Sequence, residues 1–200
     1  MNPVGALHGQ LVFKRRVRVL ANAIAQAVPA GTHDVLDVGC GDGTIAALLQ
    51  QHRPELSVTG VDVLVRPDTR VPVRAFDGAH LPYADQSFDV VMFVDVLHHT
   101  DDPTVLLREA KRVARVAVVL KDHRRNSPIA YATLRFMDWV GNAHHGVVLP
   151  YNYWSDAAWC KAFDDVGLVP QARHEAMGLY PFPASLMFER NLHFLTRLGV

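Results

Sequence analysis

The sequence is poor in cysteine: Cys40 and Cys160 are the only two in 200 residues. Neither their number nor their spacing suits a disulfide framework or a zinc knuckle, and both fit a reducing compartment. An excess of one charge is also lacking. Lys+Arg 20 against Asp+Glu 20 leaves no formal net charge, which removes the electrostatic case for a general nucleic-acid or anionic-membrane binder and leaves room only for a local basic patch. Long hydrophobic runs are missing as well. Val90 to Val94 and Val116 to Leu120 are of strand length, far short of the ~20 residues of a membrane span. Lys14, Arg15 and Arg16 before an Ala/Val-rich stretch superficially copy a secretory signal, but Arg18, Asn22 and Gln26 interrupt it. With no repeat, low-complexity tract or linker, the reading is a single domain over residues 1–200, expected to be soluble and cytoplasmic.

What is present is ordinary for a globular chain: 50% hydrophobic and 20% charged residues. A chain of this size buries roughly 70% of its unfolded surface and folds without disulfides or a structural metal. Strand and helix patterns alternate. Helical spacing runs from Leu11 to Val28, closed by Pro29 and Gly31; Val35 to Gly39 reads as a strand entering a glycine turn. A helix carrying Ile45, Leu48 and Leu49 ends at Pro54. Strands are expected at Leu56 to Val63, Val71 to Phe76, Phe88 to Val94 and Ala114 to Leu120. Asp102-Pro103 starts one further helix and Ser155 caps another that stops at Gly167. Leu168 to Arg173 and Leu192 to Leu198 read as closing strands. This order predicts an α/β fold, a doubly wound, mostly parallel sheet with helices on both faces.

Such sheets bind ligands at the strand ends. Asp37-Val38-Gly39-Cys40-Gly41-Asp42-Gly43 lets the backbone turn tightly and approach a ligand closely. The helix that follows offers unpaired N–H groups to an anion. A dinucleotide fingerprint needs a third glycine where Thr44 stands, which disfavours a nicotinamide oxidoreductase. Asp37 also suits a pyrophosphate poorly and an ammonium with a positive sulfur well.

Val35 to Lys121 resembles the class I S-adenosylmethionine-dependent methyltransferases, the small bacterial single-domain group of methyltransferase type 11-like proteins. The cofactor loop is matched by Val35 to Gly43, the acidic ribose position by Asp62 with Val63 beside it, and the adenine-contacting position by Asp77-Gly78. Leu81-Pro82-Tyr83, Ser87 to Val91 and Val96-Leu97-His98-His99 follow in the family's order. The resemblance implies a Rossmann-like sheet with a C-terminal antiparallel strand, S-adenosylmethionine as cofactor and S-adenosylhomocysteine as product. It implies cofactor contacts from Asp37, Gly39, Cys40, Gly41, Gly43, Asp62, Val63, Asp77, Gly78 and the backbone near Phe93. Cys40 is expected to be a small packing residue rather than a nucleophile.

Methyl transfer from a sulfonium needs mainly in-line positioning and exclusion of water, with a base where the acceptor arrives protonated. By location the base candidates are His123, His98 and Asp95, with His99 beside them. The pairs His98-His99 and His144-His145 lack the i, i+4 spacing of metal ligands, and the Asp-Asn pair of the cation-dependent subgroup is missing; no metal is expected. Residues 124–154 hold six of the 17 aromatic residues and read as a substrate-lid insertion, with Met177 to Met187 as an opposite wall. The expected activity is methyl transfer to a small, partly apolar acceptor, with no nucleic-acid partner. The alternative is an inactive cofactor-binding regulatory or partner subunit on the same fold. Nothing in the sequence speaks to oligomeric state.

Overall fold

The computed structural model describes residues 3–142, 150–189 and 191–200, with side chains from residue 14 onward and through residue 139 of the helix that ends at Asn142. The strands are β1 (Asp34–Val38), β2 (Ser57–Asp62), β3 (Val73–Ala75), β4 (Phe88–Val94), β5 (Ala114–His123), β6 (Val169–His174) and β7 (His193–Gly199). They form one seven-stranded sheet in the order β3-β2-β1-β4-β5-β7-β6. β7 runs antiparallel to both of its neighbours, and the pairs from β3 through β5 are parallel.

The helices are α1 (Pro3–Ala27), α2 (Thr44–His52), α3 (Pro103–Val113), α4 (Pro128–Asn142), α5 (Asp156–Val166) and the single turn α6 (Ser185–Phe188). Parallel central strands are covered on both sides, so β4 is apolar in all but Asp89 and β1 is buried from Val35 to Val38. One face carries Leu106, Leu107, Trp159 and Phe163 from α3 and α5. The other carries Leu20, Ile24, Ala46 and Leu49 from α1 and α2. Local chemistry sets the helix ends. The Asp102 side chain accepts from Thr104 N–H at 2.9 Å ahead of Pro103, and Ser155 accepts from Ala158 N–H at 3.2 Å. Gly167 ends α5 at φ 72°.

The third strand is shorter than its apolar pattern predicts. As an edge strand it pairs only over Gly60–Val73, Val61–Arg74 and Asp62–Ala75, and nothing lies beyond it to hold the ends extended. The fifth strand is longer, running past Leu120 through Lys121-Asp122-His123. β7 supplies the backbone partners, Asp122 opposite Phe194 and His123 opposite His193, so the ladder continues where hydrophobicity stops. Within the 124–154 insertion, Leu134 of α4 is buried in a small cluster with Tyr153 and Leu192, and Ala130 and Met137 rest against it. The side chain of Val140 and residues 143–149 lie outside the described residues.

Candidate active site

Sheet order reverses between β1 and β4, and the glycine loop leaves β1 at that crevice. Gly39 takes φ +72°, and a Cβ there would meet the Val96 side chain at 2.6 Å; the backbone passes where only glycine fits. Gly41, at φ +59°, faces open space, which gives a ligand access to the loop. Gly43 continues the turn into α2 at φ +74°. Cys40 has its sulfur against Gly60, where an added Cβ would come within 2.4 Å of it. Burial and the nearby Asp37 push its thiol pKa up, so it is a packing residue and a poor nucleophile.

Three carboxylates surround this loop. Asp37 is buried, and no donor to its side chain is found among the described residues. Burial and the neighbouring Asp62 push it up to about 8. Asp62, at the end of β2, accepts the Gly41 N–H at 2.8 Å and the Leu64 N–H at 2.9 Å. It thereby ties the glycine loop to the second strand and keeps lone pairs free on both oxygens. Asp77 is exposed, and its Oδ1 accepts from Ala79 N–H at 2.8 Å and His80 N–H at 2.7 Å. Gly78 after it comes close to Val63, whose Cγ1 would lie 3.3 Å from an added Cβ. Asp62, Val63, Asp77 and Gly78 therefore share one edge of the crevice. The Phe93 side chain is buried in the core, and its backbone pairs with Val38 beside the loop.

A second, buried constellation fills the ends of β4 and β5. Asp95 adopts φ 59°, a left-handed conformation uncommon for a non-glycine residue. Its carboxylate is held between Arg16 of α1 and Lys121 of β5. Burial alone would raise its pKa, but Lys121 and Arg16 outweigh that and hold it well below the usual range. It is a fixed anion rather than a base. Asp122 accepts from the Leu97 N–H at 3.0 Å, His98 Nδ1 at 2.7 Å and its own neighbour His123 N–H at 2.7 Å. His98 Nε2 lies 3.5 Å from Asp138 of α4, and Asp138 also accepts from the Tyr153 hydroxyl. Burial pulls the His98 pKa down, yet Asp122 and Asp138 overcome it and bring it up to about 10. His98 is an imidazolium bridging two carboxylates.

The remaining tautomers follow by elimination. The Phe188 carbonyl can only accept, so His193 Nε2 donates to it at 2.9 Å. Burial and Lys121 keep His193 and His123 well below the ordinary histidine pKa, hence neutral. His193 Nδ1 is then an acceptor facing Lys121 Nζ at 3.4 Å and His123 Nδ1 at 3.0 Å, and because two lone pairs cannot face each other at that separation His123 Nδ1 is a donor. That leaves the lone pair on His123 Nε2, 3.5 Å from Asp95. The sequence pointed to His123, His98 and Asp95; the structure brings all three together and gives each a different charge. It adds Arg16, Lys121, Asp138, Tyr153 and His193, which sequence reasoning did not assign to a site. One signal for Asp138 was available: a carboxylate one helical turn after Leu134 on the apolar stripe of α4.

Ligand atoms of His98, His123 and Asp138 lie within 4.8 Å of one another, close enough to hold a small cation. His98 offers no lone pair there while charged, and Lys121 adds a positive neighbour. Zinc addition or chelation by EDTA is therefore expected to leave the melting temperature unchanged. A zinc-dependent rise abolished by His98→Ala would instead make the trio a metal centre.

The crevice with its glycine turn and three carboxylates, at the sheet end that also carries a buried histidine cluster, is the ligand-binding end of a doubly wound α/β domain. The family model described as a methyltransferase domain matches residues 12–172, and the chain belongs to that family, within the class I S-adenosylmethionine-dependent methyltransferases. The 27-O-demethylrifamycin SV methyltransferase of Amycolatopsis mediterranei is 33% identical over 110 residues, 48% of this chain and 40% of that protein. An uncharacterized methyltransferase of Mycobacterium tuberculosis is 42% identical over 89 residues, 40% of this chain and 44% of that protein. The chain spans less than half the length of either. Its fold is similar to a methyltransferase solved with the Haloferax volcanii Trm112 activator, with TM-score 0.70 at 20% identity over 94% of this chain and 90% of that one. It is also similar to a geranyl diphosphate methyltransferase solved with S-adenosylmethionine, with TM-score 0.67 at 17% identity over 91% of this chain and 84% of that one. S-adenosylmethionine is accordingly the cofactor that the family assigns.

The residues present fit that cofactor. A buried carboxylate without a donor, Asp37, suits an ammonium group, and Asp62 keeps acceptor capacity for a pair of hydroxyls. The cradle over Gly41 is open to solvent-side approach.

Proposed function

We propose that the protein moves the methyl group of S-adenosylmethionine to a small, partly apolar acceptor, and that His123 takes the acceptor proton where one must leave. The observation that carries the reading is the lone pair left on His123 Nε2 by the His193–His123 hydrogen bond, at the same end of the sheet as the cofactor loop with β4 between them. When bound, the cofactor supplies an electrophilic methyl group on a positive sulfur. Asp37 would hold its ammonium group, Asp62 the ribose hydroxyls and Asp77 the adenine amino group, with Val63 and Gly78 along the base. The loop Gly39 to Gly43 and the backbone near Phe93 would flank the methionine end.

His123 accepts a proton at Nε2, and the ionised Asp95 at 3.5 Å stabilises the imidazolium that results. His98, fixed by Asp122 and Asp138, packs beside it at 4.7 Å between ring centroids and orients the pocket. α4, with Tyr153 beneath it, acts as the lid over the acceptor and excludes water. The apolar character of the acceptor is supported by the aromatic surroundings, and by relatives named as methyltransferases of 27-O-demethylrifamycin SV, demethylmenaquinone and geranyl diphosphate.

Calorimetry with S-adenosylmethionine and S-adenosylhomocysteine, with NAD and NADP as controls, tests the cofactor assignment. Selective binding of the adenosyl pair is the expected result. With an acceptor found by screening for label transfer, His123→Gln is expected to lower kcat about 100-fold and leave cofactor affinity within about twofold. An equally active variant would return His123 to a packing role.

A further inference from the structure

α4 has two apolar faces. Its inner face carries Leu134 and Asp138, which close over the histidine cluster. On the opposite side Ile129, Phe136 and Trp139 fall within about 80° of one another at 100° per residue, and each is at least 52% exposed. Phe188 stacks on Phe136 with ring planes 12° apart. The patch therefore continues into the 180s segment, where Phe182, Leu186 and Met187 are 56% to 78% exposed. A contiguous apolar surface of six large side chains marks an interaction site.

The exposed charges flanking it are mainly basic. From residue 125 to residue 139 the charged side chains are Arg125, Arg135 and Asp138, and Asp138 is buried against His98. Residues 176–188 carry no charge, and Glu189 after them turns inward to accept from the Leu179 and Tyr180 N–H groups. Arg15 of α1 donates to the Gly178 carbonyl at 3.2 Å, which brings the exposed basic run Lys14, Arg15 and Arg18 to the other flank. A chain with zero net charge thus places cations beside this exposed apolar face. A second copy of the chain fits poorly, because a two-fold contact would set these cations against one another.

We propose that this face docks the protein on an anionic lipid bilayer surface, with Phe136, Trp139, Phe182, Leu186 and Met187 entering the headgroup boundary and the flanking cations meeting lipid phosphates. No helix among the described residues is long and apolar enough to cross a membrane, so the attachment is peripheral. Because the inner face of α4 covers the reaction site, docking would set the acceptor chamber against the bilayer. This last link rests on the methyl-transfer reading above; docking itself does not.

The test is cosedimentation of the full chain with vesicles of phosphatidylcholine alone and of phosphatidylcholine mixed with phosphatidylglycerol, at low and high salt. Binding to the mixed vesicles is expected, weakened about tenfold by high salt or by omission of the anionic lipid. The double variant W139S/F182S is expected to bind the mixed vesicles at least about tenfold more weakly, with unchanged melting temperature and cofactor affinity. Failure of the folded protein to bind anionic vesicles overturns the proposal, as does equal binding by the variant. A dimer in sedimentation velocity that the variant dissociates would assign the face to self-association instead. Cofactor binding measured on the same preparation separates failure of docking from failure of the methyl-transfer reading.

Discussion

Binding of S-adenosylmethionine at pH 7 is expected to expel about nine-tenths of a proton, the fraction carried by a group with pKa about 8. Asp37 is the source. Burial and the adjacent Asp62 keep its carboxyl protonated in the free protein, and a cationic ammonium beside it favours the ionised form. Affinity should therefore strengthen nearly tenfold per pH unit as pH rises toward 8 and level off above it. Calorimetry in buffers of different ionisation enthalpy reads the proton directly. Asp37→Asn is expected to abolish the release and weaken binding about 30-fold above pH 8, the worth of a charge-assisted hydrogen bond. Tight binding without proton release would remove Asp37 from the ammonium contact. The same shift has a stability consequence. The folded pKa of about 8 stands above the ordinary 3.8, so this contribution is fully present below pH 4 and lost as pH rises through about 8. The cofactor-free protein should lose stability over that window, and Asp37→Asn should flatten the loss.

Asp122→Ala is expected to lower the melting temperature by about 10 °C, from a loss of about 3–5 kcal/mol at roughly 2–4 °C per kcal/mol for a domain of this size. Asp122 is fully buried and serves three donors, Leu97 N–H, His98 Nδ1 and His123 N–H. Its removal strands an imidazolium and two backbone groups away from water. The pH dependence identifies the mechanism. His98, raised to about 10 from the ordinary 6.5, contributes stability fully present below about pH 6.5 and lost as pH rises through 10. Wild-type protein should therefore weaken between pH 7 and 10, and Asp122→Asn should show a smaller decline because His98 has lost its nearer anion. A thermal melt series at several pH values decides. An Asp122→Ala protein as stable as wild type would mean that the His98–Asp122 pair contributes nothing to the fold.

The parts of the site that proved legible share one property: each is encoded within a few consecutive residues. Gly39, Gly41 and Gly43 announce a turn because their backbone geometry is a local matter, and Asp62 and Asp77 stand at strand ends that hydrophobic periodicity locates. Asp138 and His193 were not legible for the opposite reason. Asp138 meets His98 across 40 positions of sequence, and His193 meets His123 across 70. No periodicity reports a contact between α4 and the fourth strand's exit. The long fifth strand shows the same division. Apolar patterning ends at Leu120, and the pairing that extends it to His123 is supplied by β7, seventy positions later.

Hydrophobic spacing and backbone freedom act over short segments, and they set the alternating strands and helices, the glycine turn and the carboxylates around it. Protonation is set by contacts made across the fold. His98, His123 and Asp95 are three interchangeable candidates in a string of letters. In the folded chain Asp122 and Asp138 make the first a cation, Lys121 and His193 keep the second neutral, and Lys121 with Arg16 keep the third an anion. Charge state in a buried cluster depends on desolvation and on neighbours a few ångströms away, and those neighbours come from four separate elements of the fold.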